Sequence, residues 1–274
     1  MQLKTRKSKL KYKLSIEQVG YCHPSQTKTR RKGGSCLPDT IQKQIGPAAA
    51  CGEHDDYCRL DASSLSEDQK LKLRTEYLRP RYPAAWYKKK DQWLDNFQIA
   101  DVMKQYETAY PWFKFMGALP MDFSAPDPYL PAGQPKKCMQ PDVCELNLRA
   151  EYDRGVRGIG IIFNLDPHFK SGSHWVGLYI DLRSIKKPGA YYFDSYGMET
   201  PPLVARLMRA LKLQIPQQTL AYNARRFQFS TTECGVYSMY FIVCMIHHIP
   251  FKKFCKNSVP DGFMLQLREA FFSK

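Results

Sequence analysis

At 274 residues, with 43% hydrophobic and 13% aromatic side chains, the chain has apolar material for one well-buried domain and a smaller appendage, which excludes the disordered and fibrous classes. No run reaches the ~18–20 apolar residues of a membrane helix, and the basic start Met1-Gln-Leu-Lys-Thr-Arg-Lys7 has no apolar stretch behind it, so neither a span nor a cleaved secretory signal is expected. The formal charge of +15 is concentrated in residues 1–50, where eleven Lys or Arg face only Glu17 and Asp39.

A basic segment of that kind gains affinity for phosphate backbones by releasing condensed counterions, so nucleic acid or an acidic protein surface is one expected partner. A merely solubilising tail is the alternative. Nine cysteines, an odd number without regular short spacing, predict a reducing compartment with mostly free thiols. Cys51, His54 and Cys58, with Cys22 and Cys36 upstream, offer soft ligands, but their spacing fits no common zinc finger. Neither a metal nor another cofactor is expected, and Cys138 and Cys144 read as buried or incidental.

Residues 1–90 form a basic, mainly helical extension. A short helix is predicted over 39–45. A second follows Ser66-Glu-Asp-Gln69, a capping-box signature, runs through Leu71, Leu73 and Leu78, and stops at Pro80. The main domain is placed at 91–274. Behind Trp93-Leu94-Asp95, the spacing of Phe97, Ile99, Val102, Met103 and Tyr106 predicts an amphipathic helix. Residues 158–165, 174–182 and 190–193 read as strands, rich in β-branched and aromatic residues. In the second of these, Val176, Leu178 and Ile180 are expected to face the core. A helix over 202–213, a strand over 219–223 and a helix over 234–248 complete the order. The last is apolar nearly all round, which marks a buried central helix. The class is therefore α+β.

A catalytic thiol must become a thiolate, which a helix N-terminus and a nearby imidazolium both favour. Cys234 meets the first condition, because it follows the capping run Ser230-Thr-Thr-Glu233 and precedes Gly235. A packed small hydrophobe is the plainer reading of a cysteine there. Among six histidines, His247 and His248 lie ~20 Å further along the helix, out of hydrogen-bond reach. His23 and His54 sit in the extension, and His168 lies in a loop with Pro167 and Lys170. His174 opens a strand and is the candidate general base. Asp194 ends the strand at 190–193 and can orient that imidazole if the two strands pair, although an Asp before Ser195 is also a common turn-former. Gln228, six residues before Cys234, is the candidate side-chain donor to an oxyanion.

In order along the chain, His174-Trp175, Asp194-Ser195, Gln228 and Glu233-Cys234-Gly235 resemble the signature of the adenain and SUMO-protease superfamily, the clan CE cysteine proteases. Trp93-Leu94-Asp95 is similar to the Trp-Leu-Asn-Asp helix of the SUMO proteases, more loosely. Within the superfamily the chain looks most like the polyprotein and capsid-maturation proteases of large DNA viruses, the African swine fever virus type. Thr232-Glu-Cys-Gly235, Pro120-Met-Asp-Phe123 and Ser35-Cys-Leu37 before a short helix carry that likeness. That type has Asn where this chain has Asp194, so the triad here follows the SUMO-protease pattern.

The resemblance implies a papain-like, adenain-like core with a central mixed β-sheet packed on the buried helix that carries the nucleophile. It implies a metal-free cysteine endopeptidase cleaving structural polyproteins after Gly-Gly during virion maturation, located in the virion and at assembly sites in the host cytoplasm, and not secreted. An aromatic slot around Trp175 would admit a backbone without side chains. Gly33-Gly34-Ser35 is then a candidate self-cleavage site. The rivals are a SUMO or ubiquitin-like deconjugase, a non-catalytic nucleic-acid-binding virion protein on the same scaffold, and an acetyltransferase of the same clan.

Overall fold

A computed structural model describes residues 13–26, 34–46, 50–52, 55–89, 91–131, 133 and 137–273. His54 and Gly33 lie outside these residues, and Gly34 is exposed. The N-terminal third folds as short helices, α1 (Ile16–Val19), α2 (Asp39–Ile45), α3 (Asp56–Ala62) and α4 (Glu67–Tyr77), followed by a 3-10 turn at Ala84–Tyr87. Ser66 and Gln69 close a reciprocal capping box at the start of α4. Beyond them come α5 (Asn96–Ala109), β1 (Phe113–Pro120), α6 (Pro141–Cys144), α7 (Leu148–Asp153), β2 (Gly158–Asn164), β3 (Trp175–Asp181) and β4 (Gly189–Phe193). The chain then forms α8 (Pro202–Gln214), β5 (Thr219–Tyr222), α9 (Cys234–Ile246), α10 (Phe251–Phe254) and α11 (Asp261–Phe271).

The five strands form one mixed sheet in the order β1-β2-β3-β4-β5. The central pairings, β2 with β3 and β3 with β4, are antiparallel, while β1 with β2 and β4 with β5 are parallel. This is the expected α+β architecture. Every residue of α9 is buried, as its all-round apolar sequence requires. Gly177 lets the helix lie close on β3, since a Cβ there would meet the Phe241 ring at 2.9 Å.

The expectation of one core-facing side for β3 is corrected: both faces are covered. Val176, Leu178 and Ile180 join a cluster with α8, whereas Trp175 and Tyr179 join the cluster around α9 and α11. A sheet with helices on both faces needs no polar side on its central strand.

The free-thiol expectation is also corrected. Three disulfides, Cys22–Cys36, Cys51–Cys58 and Cys138–Cys144, span Cα–Cα distances of 5.5, 5.7 and 6.6 Å. Cys138 and Cys144 are therefore bonded and not incidental. Each pair closes a loop inside one short segment, a contact that overall spacing does not reveal. With their sulfurs joined, Cys22, Cys36, Cys51 and Cys58 are not free thiolates for a zinc ion. Cys234, Cys244 and Cys255 are free. No helix among the described residues is long and apolar enough to cross a membrane.

Candidate active site

Antiparallel pairing of β3 and β4, with Gly177 opposite Phe193, places the start of one strand beside the end of the other. His174 immediately precedes β3 and Asp194 immediately follows β4. Their side chains meet, with His174 Nε2 2.7 Å from Asp194 Oδ1. Asp194 is 1% exposed. Its Oδ1 also accepts the Tyr196 amide at 2.8 Å, so the carboxylate orients the imidazole and shapes its own turn together.

Asn223 fixes the Asp194 backbone, accepting its N–H at 2.8 Å and donating to its carbonyl at 2.7 Å. The Tyr196 ring stacks on the imidazole, with centroids 4.6 Å apart. Asn223 and Tyr196 escaped the sequence reading. No local pattern marks a lone Asn behind a short strand, and an aromatic two residues past a carboxylate is common in turns.

Cys234 is the first residue of α9 and is buried. Burial pulls the His174 pKa down, but the Asp194 hydrogen bond and contact with the Cys234 thiol outweigh it and raise the value to about 9. The structure thus brings sulfur, imidazole and carboxylate into one chain of contacts. Ser238, one turn along α9, donates to the Trp175 carbonyl at 3.1 Å and pins the His174-Trp175 segment to the helix.

Gln228 is fully buried six residues before the cysteine. Its Oε1 accepts from Ser195 Oγ at 2.7 Å, which orients the amide, and its Nε2 donates to the Ser230 carbonyl at 2.9 Å. The second Nε2 hydrogen points to Tyr196 Oη across a long 3.5 Å contact. Trp175 is anchored through Nε1 to the Leu94 carbonyl at 2.9 Å. Gly235 permits this packing, because a Cβ there would lie 3.1 Å from Leu94 Cδ1 and 3.3 Å from Trp175 Cδ1. Beside these residues a cavity of about 400 Å³ is bounded by Trp93, Leu94, Trp175, Pro120, His168 and Gly172.

The other described histidines stand apart. His168 hydrogen-bonds Asp122 at 2.6 Å on the cavity rim, and His247 meets Tyr110 Oη at 3.2 Å. Burial and the nearby Arg79 lower the His23 pKa to about 4.

A thiol at the mouth of a buried helix, against an imidazole–carboxylate pair at the ends of two interior strands of a mixed sheet, is the arrangement of the papain-like cysteine proteases. Within that class, residues 158–269 match the Ulp1 protease family, C-terminal catalytic domain, so the chain carries a domain of that family over this span. A thiol protease of Acanthamoeba polyphaga mimivirus is 32% identical over 192 residues, covering 67% of this chain and 58% of that protein. The chain thus spans somewhat over half the length of that relative. The cysteine protease S273R of African swine fever virus is 25% identical over 254 residues, covering 87% of this chain and 91% of the relative. The crystal structure of the pS273R protease superposes with a TM-score of 0.67 at 21% identity, covering 96% of this chain and 98% of the other, which establishes the fold.

Proposed function

We propose that the chain is a viral cysteine endopeptidase that cleaves structural polyproteins after Gly-Gly during virion maturation, acting at assembly sites in the host cytoplasm and in the virion. One observation carries this reading: the His174 imidazole is held between the Asp194 carboxylate and the Cys234 thiol. In the reaction, the Cys234 thiolate attacks the scissile carbonyl while His174 bears the proton. The oxyanion takes the Cys234 backbone N–H and the one Nε2 hydrogen of Gln228 that makes only the long 3.5 Å contact to Tyr196 Oη, which it displaces. Collapse transfers the proton from His174 to the leaving amine and leaves a thioester. His174 then deprotonates a water, which hydrolyses the thioester and restores the thiol.

The cavity between Trp93 and Trp175 supports a Gly-Gly preference, since a slot with indole walls admits an extended backbone without side chains. Residues 1–90 act in this reading as the basic extension, with nucleic acid as its partner, and 91–274 as the catalytic domain. Some relatives bear the name "SUMO-1 cysteine protease", which keeps a deconjugase as the second reading. Incubation with Gly-Gly-Xaa peptides and with a SUMO precursor separates the two. Peptide cleavage that is absent in Cys234→Ala supports the endopeptidase, and cleavage of the precursor alone supports the deconjugase. Equal turnover by the parent and Cys234→Ala overturns both.

A further inference from the structure

Glu233 immediately precedes the nucleophile and occupies the N-cap of α9. A carboxylate at a helix start ordinarily accepts from the amides of the first turn. This one does not cap the helix. It turns instead to Arg268 on α11, with Oε1 2.9 Å from Nη2 and Oε2 3.2 Å from Nε. Both residues are essentially sealed from solvent, at 1% and 2% exposure. Burial pushes the Glu233 carboxyl up, and the guanidinium opposes that.

Arg268 has two further attachments. Its Nη1 donates to the Gln92 carbonyl at 2.6 Å, next to the Trp93-Leu94 wall of the cavity. Its guanidinium also lies 4.3 Å over the ring of the fully buried Trp86. One side chain therefore joins the residue before the thiol, the substrate-facing wall and the N-terminal extension.

The consequence follows from what the first turn of α9 must do. Its amides, the Cys234 N–H among them, have to remain open for an oxyanion. A Glu233 carboxylate free to swing back would occupy them and place a negative charge beside the thiolate. We propose that Arg268 is a positioning residue that holds the Glu233 carboxylate away from the mouth of α9. This deepens the protease reading and rests on it.

The test uses the full chain in four variants, Arg268→Met, Glu233→Gln, their combination, and Arg268→Lys. Two readouts are taken, kcat and KM on a Gly-Gly-Xaa peptide and the rate at which iodoacetamide alkylates Cys234, followed by peptide mass spectrometry. Alkylation needs no turnover, so it reads the positioning even if the parent cleaves no peptide, a result that would count against the protease reading alone. Arg268→Met is expected to lower kcat by about 10²-fold, as the loss of an oxyanion donor does, and to slow alkylation. Adding Glu233→Gln removes the competing charge and is expected to recover about tenfold in both readouts. Glu233→Gln alone is expected to stay within about fivefold of the parent.

A purely structural role predicts the reverse, a double variant no better than Arg268→Met, and that result overturns the proposal. So does a parental kcat in Arg268→Met. Should Arg268→Met not fold, Arg268→Lys keeps the charge without the two-pronged contact. A fall in its kcat of about tenfold at near-constant KM supports the proposal, and a parental kcat overturns it.

Discussion

The imidazole of His174 meets Asp194 through Nε2, which leaves Nδ1 as the nitrogen available to the Cys234 thiol. A carboxylate oxygen accepts, so Nε2 is the donor in this contact and Nδ1 is the nitrogen that exchanges a proton with the thiol. Asp194→Ala removes that constraint and is expected to lower kcat/KM by about 10²-fold or more. The pH profile gives a sharper check. Because the His174 pKa is raised to about 9, the imidazolium persists through neutral pH and is lost as pH rises through that value. With it goes the proton for the leaving amine, so kcat/KM falls on an alkaline limb near pH 9. In Asp194→Ala the limb should move to lower pH. An unmoved limb would show that the carboxylate does not tune the base.

Gln228 has a fixed orientation because Ser195 Oγ donates to its Oε1. Gln228→Ala is expected to reduce kcat by about 10²–10³-fold with little change in KM, the pattern of a lost oxyanion donor. Ser195→Ala leaves the amide in place but free to flip, and its loss should be smaller, within about tenfold. Steady-state kinetics on one peptide rank the two. A Ser195→Ala loss as large as that of Gln228→Ala would make orientation, rather than donation, the dominant role.

Tyr196 covers one face of the imidazole and reaches the Ser230 carbonyl through its hydroxyl at 3.2 Å. Tyr196→Phe keeps the stacked ring and should retain activity within about fivefold, whereas Tyr196→Ala exposes the imidazole and should lower kcat by about tenfold or more. Comparing kcat in the two variants separates ring from hydroxyl. Equal losses would assign the effect to the hydroxyl and its tie to the loop before Cys234.

Elements that carry their own periodicity or caps were legible in the sequence. The capping box at Ser66, the apolar face of α5 and the all-apolar α9 each announce themselves within a dozen residues. β1 does not, because the register shifts between Phe115 and Ala118, Gly117 takes a φ of +120°, and the alternation is broken there. α11 was missed although Met264, Leu267 and Phe271 line one face, since Pro260 and Gly262 at its start resemble a loop. Within the site, Cys234, His174, Asp194 and Gln228 were singled out by type and order. Asn223, Tyr196 and Arg268 act through partners 29, 22 and 35 positions away, and nothing local signals those contacts.

The disulfides yield a stability prediction. Cys22 and Cys36 are 14 residues apart and buried, beside Leu37 and Leu60 in a small cluster of the extension. A loop of that length limits the unfolded chain by about 3 kcal/mol in the chain-entropy view. Cys22→Ser should therefore lower the melting temperature measurably, and dithiothreitol should lower that of the parent by more than that of the variant, which keeps the Cys51–Cys58 and Cys138–Cys144 bridges. Non-reducing peptide mapping checks the pairing directly. A parental melting curve unmoved by reductant would show that the bridge contributes nothing.

The extension is expected to be indispensable for folding of the catalytic segment. Leu14, Ile16, Val19 and Trp86 lie in the same apolar cluster as α5, α9 and α11. Tyr240 on α9 donates its hydroxyl to the Leu14 carbonyl at 2.7 Å, and the Lys13 ammonium reaches the Phe254 carbonyl. Arg79 is fully buried, donating to the carbonyls of Val19 at 2.9 Å and Gly20 at 3.2 Å and to Tyr106 Oη at 3.1 Å. Its guanidinium also lies 5.1 Å from the Tyr106 ring. Arg79→Met would remove this donor from the Val19 and Gly20 carbonyls, at about 1.5–3 kcal/mol for a hydrogen bond to a charged group, and should lower stability far more than any exposed Lys or Arg substitution. Deleting residues 1–90 removes all of these contacts and uncovers apolar surface on α5, α9 and α11, so the remaining 91–274 fragment should aggregate or melt well below the parent. Thermal unfolding of Arg79→Met and of the fragment decides the matter. A fragment that melts with the parent would show that the catalytic core does not need the extension to cover it.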